Sequence, residues 1–302
     1  MRSASCKGQG AGGKLRIANG KLRVANGKLQ GVILALWLLL VACARSPVVT
    51  PEPVRFRVAA DSTTTPLAEM LLAVYQTNRP FVTTRLLPVA NSATALEALE
   101  TGRADLAFLS ASPDLLSPAS SGLTETASLW VTPFAWDGVA LITHPDNPVT
   151  TLSGGQVQDL FQGHLTSWAG AGGKAQEVVI VSREEGSGTR AFFETLVMGE
   201  QRVTLNAVVM AGNQAVVEYV METPGAVGYV STAYLQPGVN VLNVEGVPPL
   251  PSAIAARRYP LARPLYLVAR RPPAGGLGDF VAWVLGEEGQ RWIGGGYVAL
   301  GP

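Results

Sequence analysis

From Val54 onward the chain alternates between two hydrophobic periods, and this constrains its fold more than any other feature. Val54-Arg55-Phe56-Arg57-Val58 alternates apolar with charged residues, the period of a half-buried strand. Leu67, Met70, Leu71 and Val74 then recur at helical spacing, behind a Ser/Thr-rich start and Pro66. The alternation continues. A helix is predicted over Ala93–Glu100, stopped by Gly102, and a buried strand over Asp105–Leu109. Strands follow at Gly138–Thr143, Val178–Ser182, Ala226–Val230 and Leu265–Ala269, and helices at Ser153–Phe161 (capped by Ser153), Thr189–Val197, Gln214–Glu222 and Leu277–Trp292. Regular alternation of this kind predicts an α/β fold with largely parallel sheets. Such sheets bind ligands at the carboxyl ends of strands, where helices begin.

The segment before Val54 is of another kind. Arg2, Lys7, Lys14, Arg16, Lys21, Arg23 and Lys28 precede the apolar run Gly31–Ala42, with no acidic residue among positions 1–42. That run is shorter than the roughly 20 residues of a membrane-spanning helix and has the layout of a secretory signal. Its end, Leu40-Val41-Ala42-Cys43, resembles the bacterial lipoprotein signal, which implies lipid attachment at Cys43 and loss of residues 1–42. Residues 43–53, with the Pro-rich stretch Arg45–Pro53, are expected to be a lipid-anchored tether. The repeat Gly13-Lys-Leu-Arg, Gly20-Lys-Leu-Arg, Gly27-Lys-Leu-Gln is too brief for a solenoid.

Charge narrows the function. The whole chain has a formal charge of +1, but residues 43–302 carry 16 basic against 22 acidic residues, with Lys174 their single lysine. An acidic body is poorly suited to nucleic acid, whose affinity rests on many phosphate contacts. Two cysteines (Cys6, Cys43) give no disulfide framework. Two histidines (His144, His164) leave little for a transition-metal site, so neither metal nor cofactor is expected.

Helix starts attract anions, because their first N–H groups lack partners and carry the positive end of the dipole. Three strand-to-helix junctions are rich in hydroxyls or glycine: Asp61-Ser62-Thr63-Thr64, Asn91-Ser92-Ala93-Thr94 and Arg183-Glu184-Glu185-Gly186-Ser187-Gly188-Thr189. The first two are also what simple capping calls for. The third goes further. Gly186 and Gly188 permit close backbone approach, Ser187 and Thr189 offer hydroxyls, and the planar fork of Arg183 matches an oxyanion. The combination predicts a pocket biased toward positive charge.

Ser182-Arg183-Glu184-Glu185-Gly186-Ser187-Gly188-Thr189-Arg190 resembles the signature of the phosphate ABC transporter substrate-binding proteins. Other segments fit in order, among them Phe134–Ala140, His144–Val149, Asp159–Gly163, Gly212–Val216, Gly225–Val230, Arg263–Tyr266 and Gly296–Val298. The resemblance implies a two-lobed periplasmic-binding-protein fold of type II, its two α/β lobes joined by two crossover strands near Phe134–Val139 and Val227–Ser231. Lobe 1 would be residues 54–135 plus 232–302 and lobe 2 residues 136–231.

Carried onto this sequence, the family's anion contacts fall on Ser62, Thr63 and Thr64, on Ser92, and on Arg183, Ser187, Gly188 and Thr189, with Asn213 at the next helix start. Phosphate binders of the family place a ligand-contacting aspartate after the third strand. Leu109-Ser110-Ala111-Ser112-Pro113 has none there, leaving Ser110 or Ser112, or Asp114 beyond them, and Glu184 or Glu185 to pair with Arg183. The resemblance thus implies a non-catalytic lipoprotein on the outer face of the cell membrane. It would capture phosphate, or a related tetrahedral oxyanion such as sulfate, molybdate or tungstate, and deliver it to an ABC permease. The alternatives are an oxyanion-sensing lipoprotein signalling to a membrane receptor and, with no base in sequence beside Ser187, a phosphate-ester hydrolase.

Overall fold

The computed structural model describes residues 53–116, 129–295 and 297–300. The expected leader, Cys43 and almost all of the tether lie outside the described residues, as does Gly296 of the last matching segment.

Strand β1 (Val54–Ala60) leads through Asp61–Thr64 into helix α1 (Thr65–Thr77), and β2 (Val82–Pro88) leads into α2 (Ser92–Glu100). With β3 (Leu106–Leu109), these strands form a parallel set in which β1 pairs with both others. Period-two alternation divides their side chains between two cores. Phe56, Val58, Leu106 and Phe108 join Leu67 and Leu71 of α1, whereas Ala59, Ala107 and Leu109 join Leu96 and Leu99 of α2.

Strand β4 (Trp130–Thr143) is the first bridge between the lobes. Elements β5 (Thr151–Leu152), α3 (Gly154–Gln162), β6 (Val179–Arg183), α4 (Gly188–Phe193), β7 (Val208–Met210), α5 (Gly212–Glu222), β8 (Ala226–Ser231), β9 (Asn240–Val244) and α6 (Pro251–Ala255) follow. Strand β10 (Ala262–Ala269) then returns to the first lobe, which ends with α7 (Gly275–Leu285) and α8 (Glu287–Ile293). The helix expected over Leu277–Trp292 is therefore two, broken at Gly286, whose ψ of 171° is extended.

The strand order is β2-β1-β3-β10-β4-β8-β6-β7, with β9 alongside β4 and β5 alongside β9. The sheet is mixed rather than largely parallel: β10 runs antiparallel to β3 and β4, and β4 antiparallel to β8 and β9. Hydrophobic period identifies a strand but carries no information about its direction. β4 changes partner between Gly138, opposite Ala262 of β10, and Val139, opposite Ser231 of β8.

The cores group residues differently from the expected lobe limits. β9 bonds to Leu141–Thr143, and Ile254, Tyr259 and Leu261 share a core with Val139, Leu141, Phe161 and Tyr229. Residues 240–261 thus pack with the second lobe. Strand β8 pairs with β4 and β6, and β10 with β3 and β4.

Candidate functional site

The carboxyl ends of β1, β2, β3, β6 and β7 bring the expected residues to one place. In the first lobe, Asp61 is its centre. Its Oδ1 accepts the amides of Thr63 (3.0 Å) and Thr64 (2.9 Å), closing the turn that leads into α1. Its Oδ2 accepts the Ser92 hydroxyl and both the amide (2.8 Å) and hydroxyl (2.7 Å) of Ser110. Thr64 Oγ1 donates to the Phe108 carbonyl at 2.8 Å. Thus the hydroxyls of Ser92 and Ser110 face a carboxylate from β1–α1. Among the described residues, Ser110 therefore has a carboxylate partner that comes from the first junction and not from the loop after β3. Asp114 is exposed, beside Ser112 Oγ at 3.4 Å.

In the second lobe, Arg183 ends β6 and is 1 % exposed. Its Nε and Nη2 donate to the two oxygens of Glu184 at 2.9 and 3.0 Å. Nη2 also reaches Ser62 Oγ, and Nη1 reaches Asn213 Oδ1, each at 3.3 Å. Ser187 caps α4 by accepting from the Arg190 amide. Gly188 is pressed so close to the first lobe that a Cβ there would stand 2.4 Å from Ser92 Oγ and 2.5 Å from Ser110 Oγ. Thr189 Oγ1 lies 3.2 Å from Thr63 Oγ1, which accepts from Asn213 Nδ2 at 2.9 Å. Tyr234 of the second lobe donates to the Ser62 carbonyl, and Tyr297 to that of Thr63. Burial pushes the Tyr234 phenol up to about 12, with the charge of Asp61 adding to it.

A second buried ion pair adjoins this cluster. Arg263 of β10 donates through Nε and Nη2 to Asp137 Oδ2 and through Nη2 to Thr189 Oγ1. Asp137 Oδ1 accepts from Ser231 and Thr232. Two guanidiniums therefore face three carboxylates (Asp61, Asp137, Glu184), so the cluster is not the cationic pocket expected.

The PBP superfamily domain matches residues 47–288, most of the chain. The chain belongs to the PBP superfamily. Among PBP-like relatives, the phosphate-binding protein PstS of Bacillus subtilis (strain 168) is 27 % identical over 157 residues, 52 % of this chain and 52 % of its own length. PstS of Borreliella burgdorferi is 24 % identical over 148 residues, 45 % and 53 % of the two chains. The chain spans about half the length of these curated relatives. A Clostridium perfringens structure with bound phosphate, named for a phosphate ABC transporter substrate-binding protein, superimposes with a TM-score of 0.73 at 26 % identity. It covers 82 % of this chain and 100 % of its own. An ABC-type phosphate transport receptor from Vibrio cholerae gives 0.66 at 26 % identity, over 80 % and 99 %.

Within this PBP fold, sequence reasoning placed ten residues at the cleft, and the structure brings all ten into one cluster. It passed over three. Asp61 stands in the first junction, where simple capping accounts for it, Asp137 reads as a residue beside the crossover that shapes the cleft rather than touching ligand, and Arg263 only as part of a family-like segment; their burial, each 1 % exposed or less, marks them out. Among the described residues, no group of three or more His, Cys, Asp and Glu is placed to hold a metal ion.

Proposed function

We propose that the chain is a non-catalytic solute-binding lipoprotein that closes two lobes around phosphate and hands it to an ABC permease. The lobes are residues 54–138 with 262–300, and residues 139–261. The single observation that carries the reading is the meeting of three helix starts, Ser62–Thr64, Ser187–Thr189 and Gly212–Asn213, against a buried Arg183. The names of the relatives in B. subtilis, C. perfringens and V. cholerae support phosphate as the ligand.

The anion contacts are Ser62, Thr63, Thr64, Ser92, Ser110, Arg183, Ser187, Gly188, Thr189 and Asn213. On capture, the hydroxyls of Ser92 and Ser110 rotate from Asp61 to the anion, which needs no backbone movement. The freed Asp61 oxygen then accepts the proton that phosphate keeps at neutral pH. Sulfate has no such proton and meets the carboxylate as a like charge. Closure excludes water and strengthens each remaining contact. Cys43 carries the lipid and holds the body on the outer face of the membrane.

Calorimetric titration of the full chain with phosphate, sulfate, molybdate and tungstate tests the reading. Tight binding of phosphate with weak binding of sulfate is expected. Absence of binding by any of the four overturns the assignment, and equal affinity for sulfate removes the role given to Asp61.

A further inference from the structure

We propose that Arg263 is a second guanidinium contact to the bound anion, made through Nη1; this rests on the oxyanion reading above. Arg263 lies on β10, 74 positions from Thr189, and is fully buried. Its Nε–Nη2 edge is taken by Asp137 Oδ2, at 3.1 and 2.8 Å. The other hydrogen of Nη2 goes to Thr189 Oγ1 at 3.1 Å. Nη1 has no hydrogen-bond partner among the described residues and is sealed from solvent. A charged donor left unmet inside a protein is costly, so this atom marks where an acceptor belongs.

The direction of that atom follows from the guanidinium's planarity. With Nε and Nη2 turned to Asp137 and Nη2 also to Thr189, the Nη1–Nη2 edge opens on the Thr189 side. Thr189 contacts Thr63, Thr63 accepts from Asn213, and Asn213 accepts from Arg183. A short string of two hydroxyls and one amide thus joins the two guanidiniums. An oxyanion inserted at this string meets a planar fork from each side. The Phe192 ring, 5.8 Å from the Arg263 carbon Cζ, covers a face of the guanidinium and leaves its edges free to donate. The contact also explains how a cleft with three carboxylates tolerates an anion. Because Arg263 sits opposite Asp137 across the two crossover strands, it ties the ligand directly to the hinge.

The test uses the full chain. Nitrogen-15 side-chain spectra of the wild type, with phosphate added in steps, follow the Nη resonances of Arg263. Calorimetry compares phosphate binding by wild type and Arg263→Lys, with near-ultraviolet circular dichroism to check folding. Lysine keeps the charge but cannot serve Asp137 and the anion together. The Nη1 resonance is expected to shift as phosphate saturates, and Arg263→Lys to weaken binding on the order of tenfold to a hundredfold. If Arg263→Lys does not fold, the wild-type spectra decide alone. Phosphate binding by the wild type with Nη1 unmoved, or by folded Arg263→Lys at unchanged affinity, overturns the contact while sparing the functional reading. A wild type that takes up no phosphate overturns both.

Discussion

Arg263 and Asp137 stand opposite each other on the two strands that join the lobes, and their ion pair is closed to solvent on both sides, at 0 % exposure each. Asp137 also takes hydroxyl hydrogens from Ser231 (2.8 Å) and Thr232 (2.9 Å), so one carboxylate holds Arg263 of β10 and the end of β8 together. Removing one member of such a pair leaves the other charged and unpaired. Asp137→Asn is expected to cost about 3–5 kcal/mol, read from urea unfolding. Asp137→Asn combined with Arg263→Met should recover part of that loss. A cost below about 1 kcal/mol for the single variant would mean that the pair is solvated in solution.

Gly188 decides whether the cleft can shut. A methyl group there meets Ser92 Oγ, Ser110 Oγ and the Ala111 amide at 3.0 Å or less, and the amide, being backbone, cannot turn aside as a hydroxyl can. Gly188→Ala is expected to hold the lobes apart, with phosphate affinity lowered at least about 100-fold and stability changed by under about 1 kcal/mol. Small-angle scattering should then show no contraction on adding phosphate. Wild-type affinity in this variant would place the anion away from Gly188.

Under the proposed function, Glu184 competes with the anion for Arg183. It occupies two of the guanidinium's five donors, and its Oε2 accepts the Gly212 amide at the start of α5 at 3.3 Å. Glu184→Gln removes one negative charge from the cleft and weakens both claims. Phosphate should bind about 3- to 10-fold tighter, whereas Arg183→Ala should abolish tight binding. Titration calorimetry on both variants checks this, and weaker binding by Glu184→Gln would show that Glu184 is needed to aim Arg183.

Much of this was legible in the sequence, and the rest was hidden for physical reasons. The Arg183–Thr189 turn is a contiguous stretch whose glycines and hydroxyls announce close approach, and the capping of α3 by Ser153 follows from local rules alone, complete with the reciprocal Gln156 bond. Asp61 was visible but ambiguous. A carboxylate before Ser-Thr-Thr caps a helix in any protein, and its Oδ2 reaches Ser110 only because β1 and β3 are neighbours. Arg263 could not be found locally at all, since its partners lie 74 and 126 positions away. Where the lobes divide was hard to read, because β9, a five-residue strand, shows its neighbours only through pairing with β4.

One buried phenol, Tyr229, and one half-buried phenol, Tyr234, make folding sensitive to alkali. Burial pushes Tyr229 up to about 12, against the hydrogen bond it shares with Ser182, and pushes Tyr234 up to about 12 as well. In the unfolded chain a tyrosine ionises near 10.0. Between those values the unfolded state sheds protons that the folded state keeps, so stability is fully present below pH 10 and is lost as pH rises through about 12. Tyr234 adds a functional consequence, because its hydroxyl donates from the second lobe to the Ser62 carbonyl in the first. Ionisation removes that donor and loosens closure. The urea midpoint should fall over this range, tyrosinate absorbance should lag behind that of the unfolded chain, and Tyr234→Phe should flatten part of the slope. A midpoint constant across the same range would mean that neither phenol is protected by the fold.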